Sequence, residues 1–382
     1  MAEMNLLIPG PTPLPPAVRE AMASAMINHR GEEFGQALHA VLTGLQQIFR
    51  TTAPILPFTA SGSGGLEAAV TNVLSPGDRV LALSCGHFGQ RFAAVATTFG
   101  ADVVKEEAEW GRAIDPQRVR DALRRHPGVK AVLVTHNETS TGIANDLQGI
   151  ADAVRPSGAL LLVDAVSSLG AMDLRTDAWG LDVVVTASQK ALMGPPGMTF
   201  LSVSPRAWEA VKTSRMPKHY FSFPQARDQL AGAFAYTPFT PAVSVIFALH
   251  VSVAMILASG IDAHIEHHRR LARTTREGIA ALGLELFAQP SRASDTVTAV
   301  RVPQGIDGKE MLRRLLIQHG VVLSGGQGPL EKAIFRIGHM GYVQQEQIIA
   351  ALNALRLVLS ELGHPAKKGT AVQAAARDPN RG

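Results

Sequence analysis

The chain has 382 residues, 46% of them hydrophobic and 18% charged, with a formal net charge of +4 and one cysteine, Cys85. That balance describes a folded protein of two or three domains, and a lone thiol excludes both an internal disulfide and a cysteine-rich metal site. No apolar run reaches the length of a membrane span, the N-terminus lacks a signal peptide's pattern, and the basic residues are scattered on helices with few aromatics among them. Membrane and nucleic acid are therefore not expected as partners, and a cytoplasmic protein that handles small anions is.

The first fourteen residues carry Pro9, Pro11 and Pro13. They read as an extended arm, since proline lacks the N–H that a helix needs. Pro15-Pro16 opens a helix to about Met26, and after the polar loop Asn28-His29-Arg30-Gly31 apolar residues at helical spacing predict a second over 34–49. Strands are predicted over 55–58, 79–83, 101–104, 131–135, 160–164, 182–185 and 198–203, with helices over 66–74, 89–99, 116–125 and 147–154. Such alternation means a mostly parallel sheet covered on both faces, hence one large α/β domain over 15–245.

After residue 205 the rhythm changes. Residues 214–235 read as irregular, and Tyr236-Thr237-Pro238-Phe239-Thr240-Pro241 as a proline-set turn. A helix-rich stretch to 282, a strand over 296–302, a helix over 308–319, short strands over 321–323 and 333–337 and a last helix over 344–362 predict a smaller α+β domain, 246–363. Residues 364–382 read as a disordered tail.

Several strand ends carry residues with chemistry. The glycine-rich turn Ser61-Gly62-Ser63 enters a helix, where free backbone N–H groups suit a phosphate; serine and glycine are equally ordinary cap residues. It lacks the lysine of a P-loop, which argues against ATP. Phe88 follows the next strand with a glycine on either side, as a ligand's stacking face or as core. Thr139 follows another, and Asp164 ends the apolar run Leu160-Leu161-Leu162-Val163, where a buried carboxylate needs either a structural donor or a ligand's ring N–H. Lys190 lies just past the strand at 182–185, before the rigid turn Gly194-Pro195-Pro196-Gly197. It is either a solvated loop lysine or a desolvated amine nucleophile toward a carbonyl. Arg336, alone in Ile334-Phe335-Arg336-Ile337, needs an anion or a structural ion pair. His264, His267 and His268 include an i, i+4 pair, but Glu266, Arg269 and Arg270 beside them make this helix read as a solvated face, and no metal site is expected.

In order and spacing, Ser61-Gly62-Ser63, Phe88-Gly89-Gln90-Arg91, Glu138-Thr139-Ser140-Thr141-Gly142, Val163-Asp164-Ala165-Val166-Ser167-Ser168 and Ser188-Gln189-Lys190-Ala191-Leu192 resemble the class V aminotransferases that use pyridoxal 5′-phosphate. The resemblance is greatest to the alanine–glyoxylate and serine–glyoxylate branch, and it runs from Pro9-Gly10-Pro11 to Phe335-Arg336-Ile337-Gly338. It implies the fold type I architecture of those enzymes, a Schiff base between the cofactor and Lys190, and Asp164 on the pyridinium nitrogen. Phe88, where the family often has tryptophan, would stack on the ring. Ser61, Gly62, Ser63 and Gln189 would hold the phosphate, Thr139 would approach the ring hydroxyl, and Val166 is among the cofactor-binding positions. Arg336 would take the substrate carboxylate. Tyr236 and Thr240 would reach the phosphate of a neighbouring subunit, implying a homodimer with shared sites. The implied activity moves the amino group of alanine or serine to glyoxylate or pyruvate. A lyase of the cysteine desulfurase type and a non-catalytic accessory subunit are the alternatives. Desulfurases carry a catalytic cysteine on a mobile loop and histidine before the lysine, where this chain has Gln189.

Overall fold

A computed structural model describes residues 4–232 and 234–364. The tail expected over 364–382 therefore lies, past His364, outside the described residues. The arm begins with β1 (Asn5–Leu6) and leads to α1 (Pro16–Met22) and α2 (Glu32–Phe49). On α2 the residues Phe34, Leu38, Leu45 and Phe49 recur at helical spacing and are all buried, so one stripe of this helix lies on the core.

The chain then alternates: β2 (Ile55–Thr59), α3 (Gly62–Val73), β3 (Arg79–Ser84), α4 (His87–Thr98), β4 (Asp102–Glu107), α5 (Pro116–Arg125), β5 (Ala131–Thr135), the small hairpin β6 (Asn137–Glu138) and β7 (Ile143–Ala144), and α6 (Leu147–Val154). It continues through β8 (Leu160–Asp164), α7 (Thr176–Trp179), β9 (Val183–Ala187), β10 (Met198–Val203), α8 (Pro205–Val211), α9 (Phe223–Leu230) and α10 (Val243–Ser259). Seven strands form one sheet in the order β2-β10-β9-β8-β5-β3-β4. β9, β8, β5, β3 and β4 pair in parallel, while β10 runs antiparallel to both β9 and β2. Six strands therefore point the same way, and their carboxyl ends share one edge. β5, β8 and β9 are buried along their whole length, which matches their unbroken apolar runs and the helix layers on both faces.

The remaining elements are α11 (Ile261–Ala281), β11 (Val297–Arg301), α12 (Gly308–His319), β12 (Val321–Val322), β13 (Ser324–Gly325), β14 (Ile334–Gly338) and α13 (Gln345–Glu361). An antiparallel sheet, β11-β14-β13, packs with α11, α12 and α13 around their own apolar core. β1 pairs in parallel with β12, and Leu7 enters that core, so the arm is stitched to the C-terminal part of the chain. No single helix among the described residues is long and apolar enough to cross a membrane.

Several boundaries differ from expectation. α1 ends at Met22 rather than near Met26. The stretch read as irregular over 214–235 contains α9, whose Ser222 side chain accepts from the Gln225 N–H as an N-cap. α3 begins at Gly62 and α4 at His87, so Gly62, Ser63 and Phe88 lie in first helical turns and not in loops. Glycines so near a helix start hide the helical period from the sequence.

Candidate active site

β2 ends at Thr59, and two residues later Ser61 caps α3 in an extended conformation, with no cap bond from its own hydroxyl. The cradle is thus a helix N-terminus whose backbone N–H groups and serine hydroxyls remain open to an anion. Gly62 is required there: a Cβ would lie 2.6 Å from Val166 Cγ2, so α3 is seated against the turn that follows β8.

At the start of α4 the corresponding N–H groups are already used. Buried Glu138 accepts from the N–H groups of Phe88 and Gly89 at 3.0 Å each and from the Ser140 hydroxyl at 2.5 Å. A buried carboxylate at a helix N-terminus is compensated by these donors and by the helix dipole. Phe88 is half-buried, and the Arg91 guanidinium carbon lies 4.8 Å from its ring centre while Arg91 Nη1 donates to Ser63 Oγ at 3.3 Å. Cradle and aromatic face are joined by this arginine, a contact for which the sequence alone carries no signal.

Asp164 closes β8, and its backbone neighbours hold it well inside. Oδ1 accepts from the Val166 N–H at 3.0 Å and Oδ2 from the Thr135 hydroxyl at 3.4 Å. Burial pushes its pKa up to about 6, against those two bonds and the Lys190 charge. The carboxylate has room for a further donor. Just past the adjacent β9, Ser188 fixes the turn by donating to Pro195 O at 2.5 Å and accepting from the Met198 N–H at 3.2 Å. Gly194 N–H donates to Ser188 O at 3.0 Å, so the rigid turn expected after Lys190 is present.

Lys190 is not a solvated loop lysine. Burial pushes its pKa down to about 8, with Asp164 opposing and Arg336 and Arg91 adding to the shift. Its Nζ donates to Pro9 O from the arm. Gly10 has φ +118°, a backbone conformation that L side chains rarely adopt, and a Cβ there would lie 2.5 Å from that Nζ, so the arm crosses the lysine as glycine. Thr12 ties the same crossing down through Gln189 O and Lys190 O, both at 3.2 Å. Sequence reasoning gave the arm no part in the site.

Arg336, on β14, reaches the segment between β6 and β7. Its Nη1 donates to Thr139 O at 3.1 Å, and burial lowers its pKa to about 10 while Glu138 opposes. Ser61, Gly62, Ser63, Phe88, Thr139, Asp164, Val166, Gln189, Lys190 and Arg336 thus belong to one linked set. Tyr236 and Thr240 do not join it within one chain: Tyr236 is half-buried against Phe234 and Thr240 is exposed.

The histidine reading is corrected. His264 and His268 are buried, His268 donating to His264 O at 2.7 Å and accepting from the Gly341 N–H at 3.0 Å, and His264 Nε2 lies 3.4 Å from Ala191 O. Burial lowers the pKa of His264 to about 4, so the neutral imidazole pins α11 to the turn that carries Lys190. The charged neighbours occupy the other face of an amphipathic helix, and a count of charges along the sequence could not separate the faces. Among the described residues no group of three His, Cys, Asp or Glu is arranged to hold a metal.

Pyridoxal phosphate fits what is present. The α3 N-terminus is open, Asp164 lacks a third donor, and the Lys190 amine is partly neutral near pH 8. Cys85, by contrast, is buried, with its thiol pushed far up by burial, which suits packing and not nucleophilic attack.

The family model described as Aminotransferase class-V matches residues 5–349. The chain is 43% identical to the soluble hydrogenase small subunit of Synechococcus sp., covering 97% of each chain. It is 38% identical to the L-aspartate–glyoxylate aminotransferase of Paracoccus denitrificans, covering 97% of this chain and 94% of the other. Among solved structures, the ureidoglycine–glyoxylate aminotransferase of Bacillus subtilis superposes with a TM-score of 0.94 at 30% identity, covering 98% of this chain and 97% of that one.

Proposed function

This chain belongs to the class-V aminotransferases, and from that premise we propose that it moves the amino group of alanine or serine to glyoxylate or pyruvate. It does so as a cytoplasmic homodimer, with pyridoxal 5′-phosphate as cofactor. When bound, that cofactor supplies the electron-withdrawing ring that makes the Cα proton of an amino acid acidic. The protein supplies binding, orientation and charge.

Ser61, Gly62, Ser63 and Gln189 receive the phosphate, Phe88 and Val166 flank the ring, and Thr139 serves its hydroxyl. Asp164 keeps a proton on the ring nitrogen, which also relieves the carboxylate of its desolvation. Lys190 Nζ would hold the cofactor at rest and, once freed by the incoming amine, would serve as the base that takes the substrate Cα proton and the acid that gives it back. Arg336 takes the substrate carboxylate, and Tyr236 and Thr240 complete the phosphate site from a second copy. One carboxylate anchor favours small monocarboxylic donors over aspartate, the donor named for the Paracoccus relative.

The observation that carries this reading is the pair Lys190 and Asp164 on adjacent strand ends. Burial drives the amine down to about 8 and the carboxyl up to about 6. Two ionisable groups displaced toward neutrality in one crevice support a catalytic role for it. The hydrogenase named for the Synechococcus relative raises the accessory-subunit alternative, but a complete Lys190–Asp164 pair is the equipment of an enzyme.

The test is an absorption spectrum of the purified protein, with alanine, serine and aspartate added separately. A visible band that moves to shorter wavelength with a donor and returns with glyoxylate or pyruvate supports transamination and names the substrates. A colourless protein that takes up no added cofactor would sink it.

A further inference from the structure

A guanidinium has five N–H groups: one on Nε and two on each terminal nitrogen. In Arg336, Nε donates to Gly325 O at 2.9 Å, and Nη1 donates both to Thr139 O at 3.1 Å and to Gln327 Oε1 at 3.3 Å. Among the described residues Nη2 has no acceptor. A carboxylate gripped by two parallel bonds needs N–H groups on two nitrogens of the fork. Two of the three present acceptors are backbone carbonyls and cannot withdraw. Gln327 is the acceptor that can leave.

Its backbone is set and its side chain is not. A Cβ on Gly326 would overlap the Leu330 carbonyl, Gly328 has φ +54°, and Gln327 O accepts from the Leu330 N–H at 3.1 Å. The loop is therefore held on both sides of a half-buried glutamine. Releasing Arg336 requires rotation of that side chain alone, with no movement of the backbone.

We propose that the Gln327 carboxamide oxygen stands in for one oxygen of the substrate carboxylate on Arg336 and yields it when a carboxylate arrives. This rests on the aminotransferase reading of Arg336. The arrangement keeps a buried guanidinium satisfied between turnovers and makes binding an exchange of a neutral acceptor for a charged one. A carboxylate wins that exchange, because it brings a full negative charge and two parallel bonds to a fork on which Gln327 makes one. A neutral amino amide does not, so Gln327 discriminates amino acids from their amides.

The test uses cofactor-loaded wild type, Q327L and Q327E. KM is measured for the amino acid that wild type turns over, and Ki for propionate, a carboxylate that cannot react. The carboxylate introduced by Q327E would form a lasting ion pair with Arg336, so this variant raises both constants at least about tenfold. Q327L, which keeps bulk but offers no acceptor, lowers Ki about threefold or more. Both effects fall on KM and Ki rather than kcat. Unchanged constants in both variants, or a Ki raised by Q327L, would overturn the proposal, the latter because Gln327 would then be a direct donor to the carboxylate. Q327L carries the test alone if Q327E does not fold. A wild type that neither colours nor turns over any donor would fail the aminotransferase reading instead.

Discussion

At the scale of single residues, the site consists of charges that burial has weakened. Lys190 attacks a carbonyl only as the neutral amine, and its pKa is lowered to about 8. The rate of cofactor uptake by the apoenzyme should therefore climb about tenfold per pH unit below that value and level off above it, as stopped-flow absorbance would show. A rate flat from pH 6 to 9 would mean that Lys190 is not so shifted. Asp164 has the opposite sign. Its pKa is raised from 3.8 to about 6, so the folded apoprotein holds that proton more tightly than the unfolded chain does. The resulting stability is complete below pH 3.8 and is lost as pH rises through about 6, a span of about 3 kcal/mol. Urea titrations of apo D164N should lack that slope. Both residues were legible in the sequence as polar side chains ending apolar strands. Glu138 was not, because its role is to receive the N–H groups of α4, which are fifty residues away along the chain.

At the scale of elements, the site depends on how closely α3 sits on the turn after β8. A methyl on Gly62 would meet Val166 Cγ2 at 2.6 Å and Cγ1 at 3.2 Å, so the first turn of the helix must back away. Overpacking of this kind costs typically 1–3 kcal/mol. We expect G62A to weaken cofactor binding about tenfold in equilibrium dialysis and the double variant G62A/V166A to regain most of it. Equal affinity in G62A would show that the cradle tolerates a looser seat. The glycines of this turn were readable as a turn, whereas the neighbour that requires glycine at 62 was not, because Val166 belongs to another strand end. The same holds for the histidines of α11: spacing put His264 and His268 on one face, and only the packing against Gly341 and Ala191 made that face the inner one.

At the scale of the whole molecule, the arm crosses Lys190 while its first strand joins β12, and Arg336 reaches across to Thr139. The two parts of the chain therefore meet at the lysine. If Tyr236 and Thr240 serve a second copy, chains carrying K190A and chains carrying T240A should each be impaired, and reassembling a mixture should recover about a quarter of wild-type activity, half the dimers having one intact site. No recovery would mean that each chain completes its own site. The sequence alone determined the alternation of strands and helices, the parallel sheet and most of the polar residues at its carboxyl edge, because periodicity and strand ends are local properties of a chain. The tertiary structure decided which of those residues meet, that the arm covers the lysine, that α11 turns its histidines inward and that Gln327 occupies Arg336, because each depends on residues far apart in sequence brought within about 3 Å, the distance at which hydrogen bonding begins.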